Sequence, residues 1–453
     1  MTRLKFALAT ALSLAFPAAA QAQTIEIAIG HQSTVTNTVP GGVILEKLKL
    51  LEKHLPTTGK YKGVKYEVVY RDYTSGPPIT NQMLAGRLAF GVMGDYPLIV
   101  NGATFEKTGR SETRFIMVTG YNLKGTGNAL VVPTNSNVYS LEQLVGKTVS
   151  TPFGSAAWGM FLKVLRDRDL FGKITLVNQA PPVGVNNIAQ GRIDGHVDFC
   201  PWSEVMEFRG TGRKILDGSE VGIPTFHGTV VTTQFAEQHP EIVQAYVNAT
   251  LEAQDWIAAD PLQAAIKVSE WTGIEKEVLY LYFSKGGIST FEASIKPQWV
   301  EALRYDHSLL AKENQIPPLT FDRWIEPRFV KAAYEARGKN YDTLRGSVVD
   351  TQKQNVGLAS EIWHPRDGIS SYPGLTEFLK AVAAFNATGV NLNATYVYDK
   401  ATGLKLFGKT AFYVRSGKEK FTTFFRRGDA EAHAKAVGGT VISYEEAWRS
   451  FSS

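Results

Sequence analysis

TVSTPFGSAAWGMFLKVLRD, residues 148–167, decides the fold. Thr148–Ser150 reads as a strand, Thr151–Ser155 as a loop, and Ala156–Asp167 as a helix with apolar residues at 3.6-residue spacing. Strand, loop and helix make the unit of a largely parallel sheet, because parallel strands must be joined by a crossover. The unit recurs on both sides. Before it lie strand Ala129–Val132 and the helical turn Leu141–Val145; after it come strand Ile174–Val177, helix Val185–Gln190 and strand His196–Phe199. Nearer the start, Thr24–Gly30 alternates as a strand, and Gly42–Leu55 carries Val43, Leu45, Leu48 and Leu51 at helical spacing. Strand Tyr66–Tyr70, short helix Ile79–Ala85 and strand Phe90–Met93 follow. The economical reading is two α/β units in series.

Further on, Phe235–Ile274 becomes helical, with Pro240 and Pro261 placed for first turns, and Pro297–Glu313 is another amphipathic helix. Gly346–Tyr372 loses periodicity and is rich in Gly, Ser, Asp and Pro, which reads as a linker. Beyond it the pattern gives helix Leu375–Phe385, a hairpin of Ala394–Asp399 with Lys405–Val414, helix Ala430–Val437 and strand Thr440–Tyr444, a small α+β module. At the other end Arg3 and Lys5 precede the apolar run Phe6–Phe16, then Pro17 and the small-x-small triplet Ala20-Gln21-Ala22. This is the pattern of a cleavable export signal, 1–22, with a mature chain from Gln23. With Arg3 and Lys5 removed from 48 basic residues against 43 acidic, the remainder carries +3, too little to argue for nucleic acid. A single cysteine, Cys200, excludes an internal disulfide, so stability rests on hydrophobic cores.

Ligands of open α/β sheets sit at the carboxyl ends of strands. Four loops stand there: His31-Gln32-Ser33-Thr34, Gly94-Asp95-Tyr96-Pro97, Thr151–Ser155 and Phe199-Cys200-Pro201-Trp202. Ser155 is a good N-cap, and the N–H groups of Ala156 and Ala157 with the helix dipole can hold an anion, though the same residues also suit an ordinary cap. Phe153, Trp158, Phe199, Trp202 and Tyr96 can wall a pocket or simply fill a core. His196, Asp198 and Cys200 share one strand face and include metal-ligand types, yet equally fit a buried, hydrogen-bonded strand. No metal or cofactor is called for, and no HExxH, GxSxG, P-loop or GxGxxG stands at a suitable strand–helix junction.

The set of segments YSLEQLVGKTV (139–149), AQGRIDG (189–195), GIPT (222–225), FAEQHPEIVQAY (235–246) and LAGRLAFG (84–91) resembles the nitrate/sulfonate/taurine group of ABC-importer solute-binding proteins over residues 25–339. The resemblance implies a type II periplasmic-binding fold over 23–345. Lobe I would span about 23–127 and 233–345 and lobe II about 134–221, with crossings near Asn128–Pro133 and Gly222–Thr232. It further implies a monomer that holds a small anionic solute and delivers it to an inner-membrane permease, without catalysis. Ser155 and Ala156 would hold the oxyanion, Gln32 and Ser33 would face it, and Asp95, Tyr96, Trp158 and Trp202 would line the cleft. Taurine-type binders carry an acid after Gly-x-Pro-Thr-x, where this chain has His227. Asp95 could replace that acid, and His227 could meet a second anionic group or pack in the hinge. TAFYVRS (410–416), FFRRGDAEAHAK (424–435) and VGGTVISYEEA (437–447) resemble the end of the NosL copper carriers, which implies a NosL-like module over 374–453 behind a 346–373 linker. That module has no Cys or Met, leaving His433, and His364 before it, for an alternative role in copper handling.

Overall fold

The computed structural model describes residues 23–109, 112–312, 316–347, 357–366 and 368–452, so the export-signal reading, 1–22, lies outside the described residues. Strands β1 (Thr24–His31), β2 (Lys65–Asp72), β3 (Phe90–Gly94) and β4 (Thr113–Asn122) precede β5 (Asn128–Pro133), β6 (Thr148–Thr151), β7 (Thr175–Asn178), β8 (Gly195–Phe199), β9 (Gly212–Asp217) and β10 (Thr225–Thr232). They form two five-stranded sheets, ordered β2-β1-β3-β10-β4 and β7-β6-β8-β5-β9. In each sheet the strands first read as α/β units pair in parallel. The strand that arrives from the other sheet, β10 or β5, runs antiparallel to its neighbours.

Each sheet thus belongs to one lobe, and the chain crosses twice, over 123–127 and 218–224. The crossings touch backbone to backbone. Gly125 adopts φ 72°, and a Cβ on Gly218 would fall 2.1 Å from the Gly125 carbonyl oxygen. Only glycine fits there.

Several elements differ from the sequence reading. Gly42–Leu55 is not one helix: a 3₁₀ turn, Thr36–Gly41, leads into Val43–Leu48, and Lys49 at φ 53° breaks the chain before Leu50–His54. The stretch assigned to a linker contains β11 (Ser360–Trp363) and β12 (Ile369–Tyr372), with Ile362 and Trp363 fully buried. Short strands whose apolar content is two or three residues do not register as periodic. With β13 (Ala394–Tyr398) and β14 (Lys405–Phe407) they form a sheet ordered β12-β11-β13-β14. The hairpin stops at Gly408, where a Cβ would come 2.5 Å from the Thr395 hydroxyl. The next strand, β15 (Phe412–Arg415), joins β16 (Phe421–Phe424) and β17 (Thr440–Ile442) in a separate sheet. A closing helix, Tyr444–Arg449, escaped the sequence reading although Ser443 and Glu446 form its capping box.

This C-terminal unit is seated on the second crossing. Arg426 reaches Asp217 at 3.3 Å, the Ser219 hydroxyl at 2.9 Å and Glu220 at 2.9 Å. It also grips helix Lys276–Phe283, through Tyr396 Oη to the Glu277 carbonyl at 2.9 Å and Lys405 Nζ to Ser284 Oγ at 2.7 Å. No helix among the described residues is long and apolar enough to cross a membrane.

Candidate functional site

Strand pairing sets which loops are neighbours. β1 lies beside β3, so the loops after His31 and Gly94 adjoin; β6 lies beside β8, so those after Thr151 and Phe199 adjoin. Contacts across the lobes then bring the two pairs together. The Cys200 thiol sits against Thr36 and the Asn37 amide. A Cβ on Gly94 would lie 3.6 Å from that of Ala156, and one on Gly159 would strike the Tyr96 ring at 1.9 Å. Tyr96, from lobe I, therefore rests on the bare backbone of the lobe II helix, edge-on to Trp158 with ring centroids 6.5 Å apart.

Ser155 caps that helix, and its Oγ accepts from Trp158 N at 3.2 Å. The first intrahelical bond runs from Gly159 N to the Ser155 carbonyl at 3.1 Å. The N–H groups of Ala156 and Ala157 precede it, at the positive end of the dipole. Around this helix start the buried polar atoms are short of partners. Thr151 Oγ1, Trp202 Nε1 and His227 Nδ1 have none in the protein, and the Thr36 hydroxyl has only the Cys200 thiol beside it. Indole Nε1 can only donate, and a buried donor left unpaired costs about 1–3 kcal/mol. Burial pushes the His227 imidazole down to about 3, so it is neutral near pH 7.

Gln32, Ser33 and Asp95 depart from the sequence expectation. Gln32 is buried and gives its Nε2 to the Val92 carbonyl at 3.2 Å, inside its own lobe. Ser33 donates to the Asp72 carboxylate through both its amide, 2.7 Å, and its hydroxyl, 2.5 Å. Asp95 accepts from Tyr96 N at 2.8 Å, Thr225 Oγ1 at 3.0 Å and Phe226 N at 3.3 Å, which ties it to the second crossing. Burial pushes its carboxyl up to about 6, against the pull of those bonds.

Tyr96 and Trp158 meet at Gly159, Ala156 and His227 lie against Gly94, Ser155 caps the helix, and Trp202 opens the helix after the Phe199 loop. Phe153 is 42% exposed, its ring tilted against Trp158 with centroids 6.1 Å apart. His196 is held by Ser150 Oγ and Asp198, each at 2.8 Å, with Gly184 leaving room for its ring. That is the hydrogen-bonded strand, and among the described residues no group of three or more His, Cys, Asp or Glu is placed to hold a metal.

Sequence reasoning missed Thr36 as a polar group beside these loops and Asp306 at the hinge. Asp306 had a visible signal: it falls on the buried stripe Trp299, Leu303, Asp306, Leu310 of its helix, where an acid is out of place.

Residues 110–264 match the family model described as NMT1/THI5 like. The chain is 27% identical over 245 residues to the taurine-binding periplasmic protein of Escherichia coli (strain K12), covering 53% of this chain and 69% of that one. It is 23% identical over 323 residues to a putative aliphatic sulfonates-binding protein of the same organism, covering 70% of this chain and 94% of that one. Its fold matches the alkanesulfonate-binding protein SsuA from Xanthomonas axonopodis pv. citri bound to MOPS, with TM-score 0.57 at 17% identity over 68% of this chain and all of that one. The two lobes are a type II periplasmic-binding fold. The chain is a homologue of the taurine- and aliphatic-sulfonate-binding periplasmic proteins, and carries the NMT1/THI5-like family match within its two-lobed part.

Proposed function

We propose that this chain is the periplasmic solute-binding component of an ABC importer, which closes its lobes on a small sulfonate-class anion and hands it to a membrane permease. One observation supports the reading: the start of helix Ala156–Asp167 lies against Gly94 and Tyr96 of the other lobe, and the buried Thr151 hydroxyl just before it has no partner in the protein. Trp202 Nε1, the Thr151 and Ser155 hydroxyls and the first N–H groups of the helix suit an oxyanion with several lone pairs. Tyr96, Trp158 and Trp202 would cover its organic part. Neutral His227 would add a hydrogen bond without charge. Residues 1–22 would serve as the export signal, and the sulfonate- and taurine-binding names of the relatives support the solute class.

Thermal-shift measurement with ethanesulfonate, MOPS, taurine, nitrate and acetate tests this, because a ligand of the native state raises its melting temperature. A sulfonate is expected to give the largest rise. Ser155→Ala removes a hydroxyl bond to a charged group, worth about 1.5–3 kcal/mol, and should weaken binding about tenfold or more. No shift with any anion, but a clear one with Cu(I), would move the function to the copper alternative.

A further inference from the structure

At the hinge, between the two crossings, lies a cavity of about 20 Å³ lined by Asp95, Tyr96, Asn128, Gly159, Lys163 and Asp306 among others. It has room for one water-sized species. Asp306 is 4% exposed; the Tyr96 hydroxyl bonds it, and it feels the charge of Asp95. Asn128 is 1% exposed. Its Nδ2 donates to Thr225 Oγ1 at 2.9 Å, while its Oδ1 has no partner in the protein. The nearby ammonium is committed elsewhere: Lys163 Nζ pairs with Asp167 at 2.6 Å and bonds Tyr305. Among the described residues no ion pair neutralises Asp95 or Asp306.

We propose that this cavity binds a single monovalent cation, held by the carboxylates of Asp95 and Asp306 and the amide oxygen of Asn128. All three offer hard oxygens, and burial holds both carboxyls above the ordinary range, Asp306 well above it, so the ion would take the place of a proton at this pair. The volume leaves no room for the several waters that magnesium keeps. The cation is a free ion of sodium to ammonium size, or the ammonium head of a solute. Asp95 and Asp306 belong to lobe I and Asn128 opens the first strand of lobe II, so the ion joins the lobes only when they are together. Its coupling to solute capture rests on the proposed solute site and would be reciprocal; the ion site itself does not.

The test is the melting temperature of the full mature chain, residues 23–453, at constant ionic strength in sodium, potassium, ammonium or methylammonium chloride, against tetramethylammonium chloride, whose cation is too large. At least one small cation should raise it by a few degrees in a saturable way, and Asp306→Asn, close in shape, should abolish the rise. A rise with metal or ammonium ions assigns a free ion, and a rise with methylammonium alone assigns the head group of a solute. Equal melting in all five salts would overturn the site, and any pH dependence left would mean that the carboxyls share a proton instead. Retention of the cation-dependent rise in Asp306→Asn would overturn it as well. Whether sulfonate binding survives in tetramethylammonium is a separate reading, so failure of the ion site leaves the proposed function standing.

Discussion

At the scale of single residues, the site is a matter of unpaired donors and of a histidine kept neutral. The positions of Ser155 as an N-cap and Trp202 beyond a strand end were legible in the sequence, because strand ends and N-caps have fixed chemistry. For Gln32, Ser33 and Asp95 the sequence shows that a polar group is present, not that Val92, Asp72 or Thr225 already holds it. Trp202→Phe deletes a donor while keeping most of the ring, so sulfonate affinity should fall about tenfold, read by titration, with little change in melting temperature. His227 carries a pH signature. Its folded value, about 3, lies below the ordinary 6.5, so the unfolded chain binds a proton first. The stability it contributes is complete above pH 6.5 and erodes as pH falls toward 3. Asp95, raised to about 6 from 3.8, acts oppositely: the folded chain takes up its proton first, so falling pH between about 6 and 3.8 favours the fold. His227→Asn removes the first effect and leaves the second. Urea unfolding at pH 7 and pH 4.5 should show a smaller acid loss in the variant than in the parent; an equal or larger loss would contradict the assignment.

At the scale of elements, the crossings and the Ala156 helix do the positioning. The strand–loop–helix rhythm of residues 148–167 was enough to give the parallel layers, whereas the two crossings followed only from the family resemblance. Close approaches were not legible, since nothing local distinguishes Gly159, pressed by the Tyr96 ring, from a solvent-facing glycine. Gly159→Val would put side-chain atoms inside the space of that ring, so the lobes could not meet as they do. Sulfonate affinity should drop by more than tenfold while each lobe stays folded, as judged by far-UV circular dichroism. Unchanged affinity would show that this contact plays no part in capture. Overpacking of this kind typically costs about 1–3 kcal/mol, which sets the scale.

At the scale of the whole molecule, the C-terminal unit is attached where the lobes are joined. Arg426 ties it to Asp217, Ser219 and Glu220 of the second crossing, and Phe407 packs on Phe208 with centroids 5.6 Å apart. Its seven strands among the described residues were only partly legible, because three- and four-residue strands carry too few positions to show a period. Arg426→Ala leaves the buried Asp217 with the Ser219 hydroxyl but no cation partner from this unit. Losing one partner of a buried pair costs about 3–5 kcal/mol at most, and less here because Arg426 is partly exposed. Limited proteolysis should release the C-terminal unit faster from this variant than from the parent.

The central claim is that the meeting of the lobes at Ser155 captures a sulfonate-class anion. Calorimetric titration of residues 23–453 with ethanesulfonate and with ethyl methyl sulfone, similar in size but uncharged, tests it most directly. Saturable binding of the sulfonate at one site per chain, with no saturable heat from the sulfone, is the predicted result. Equal binding of both, or no binding of ethanesulfonate at millimolar concentration, would contradict it.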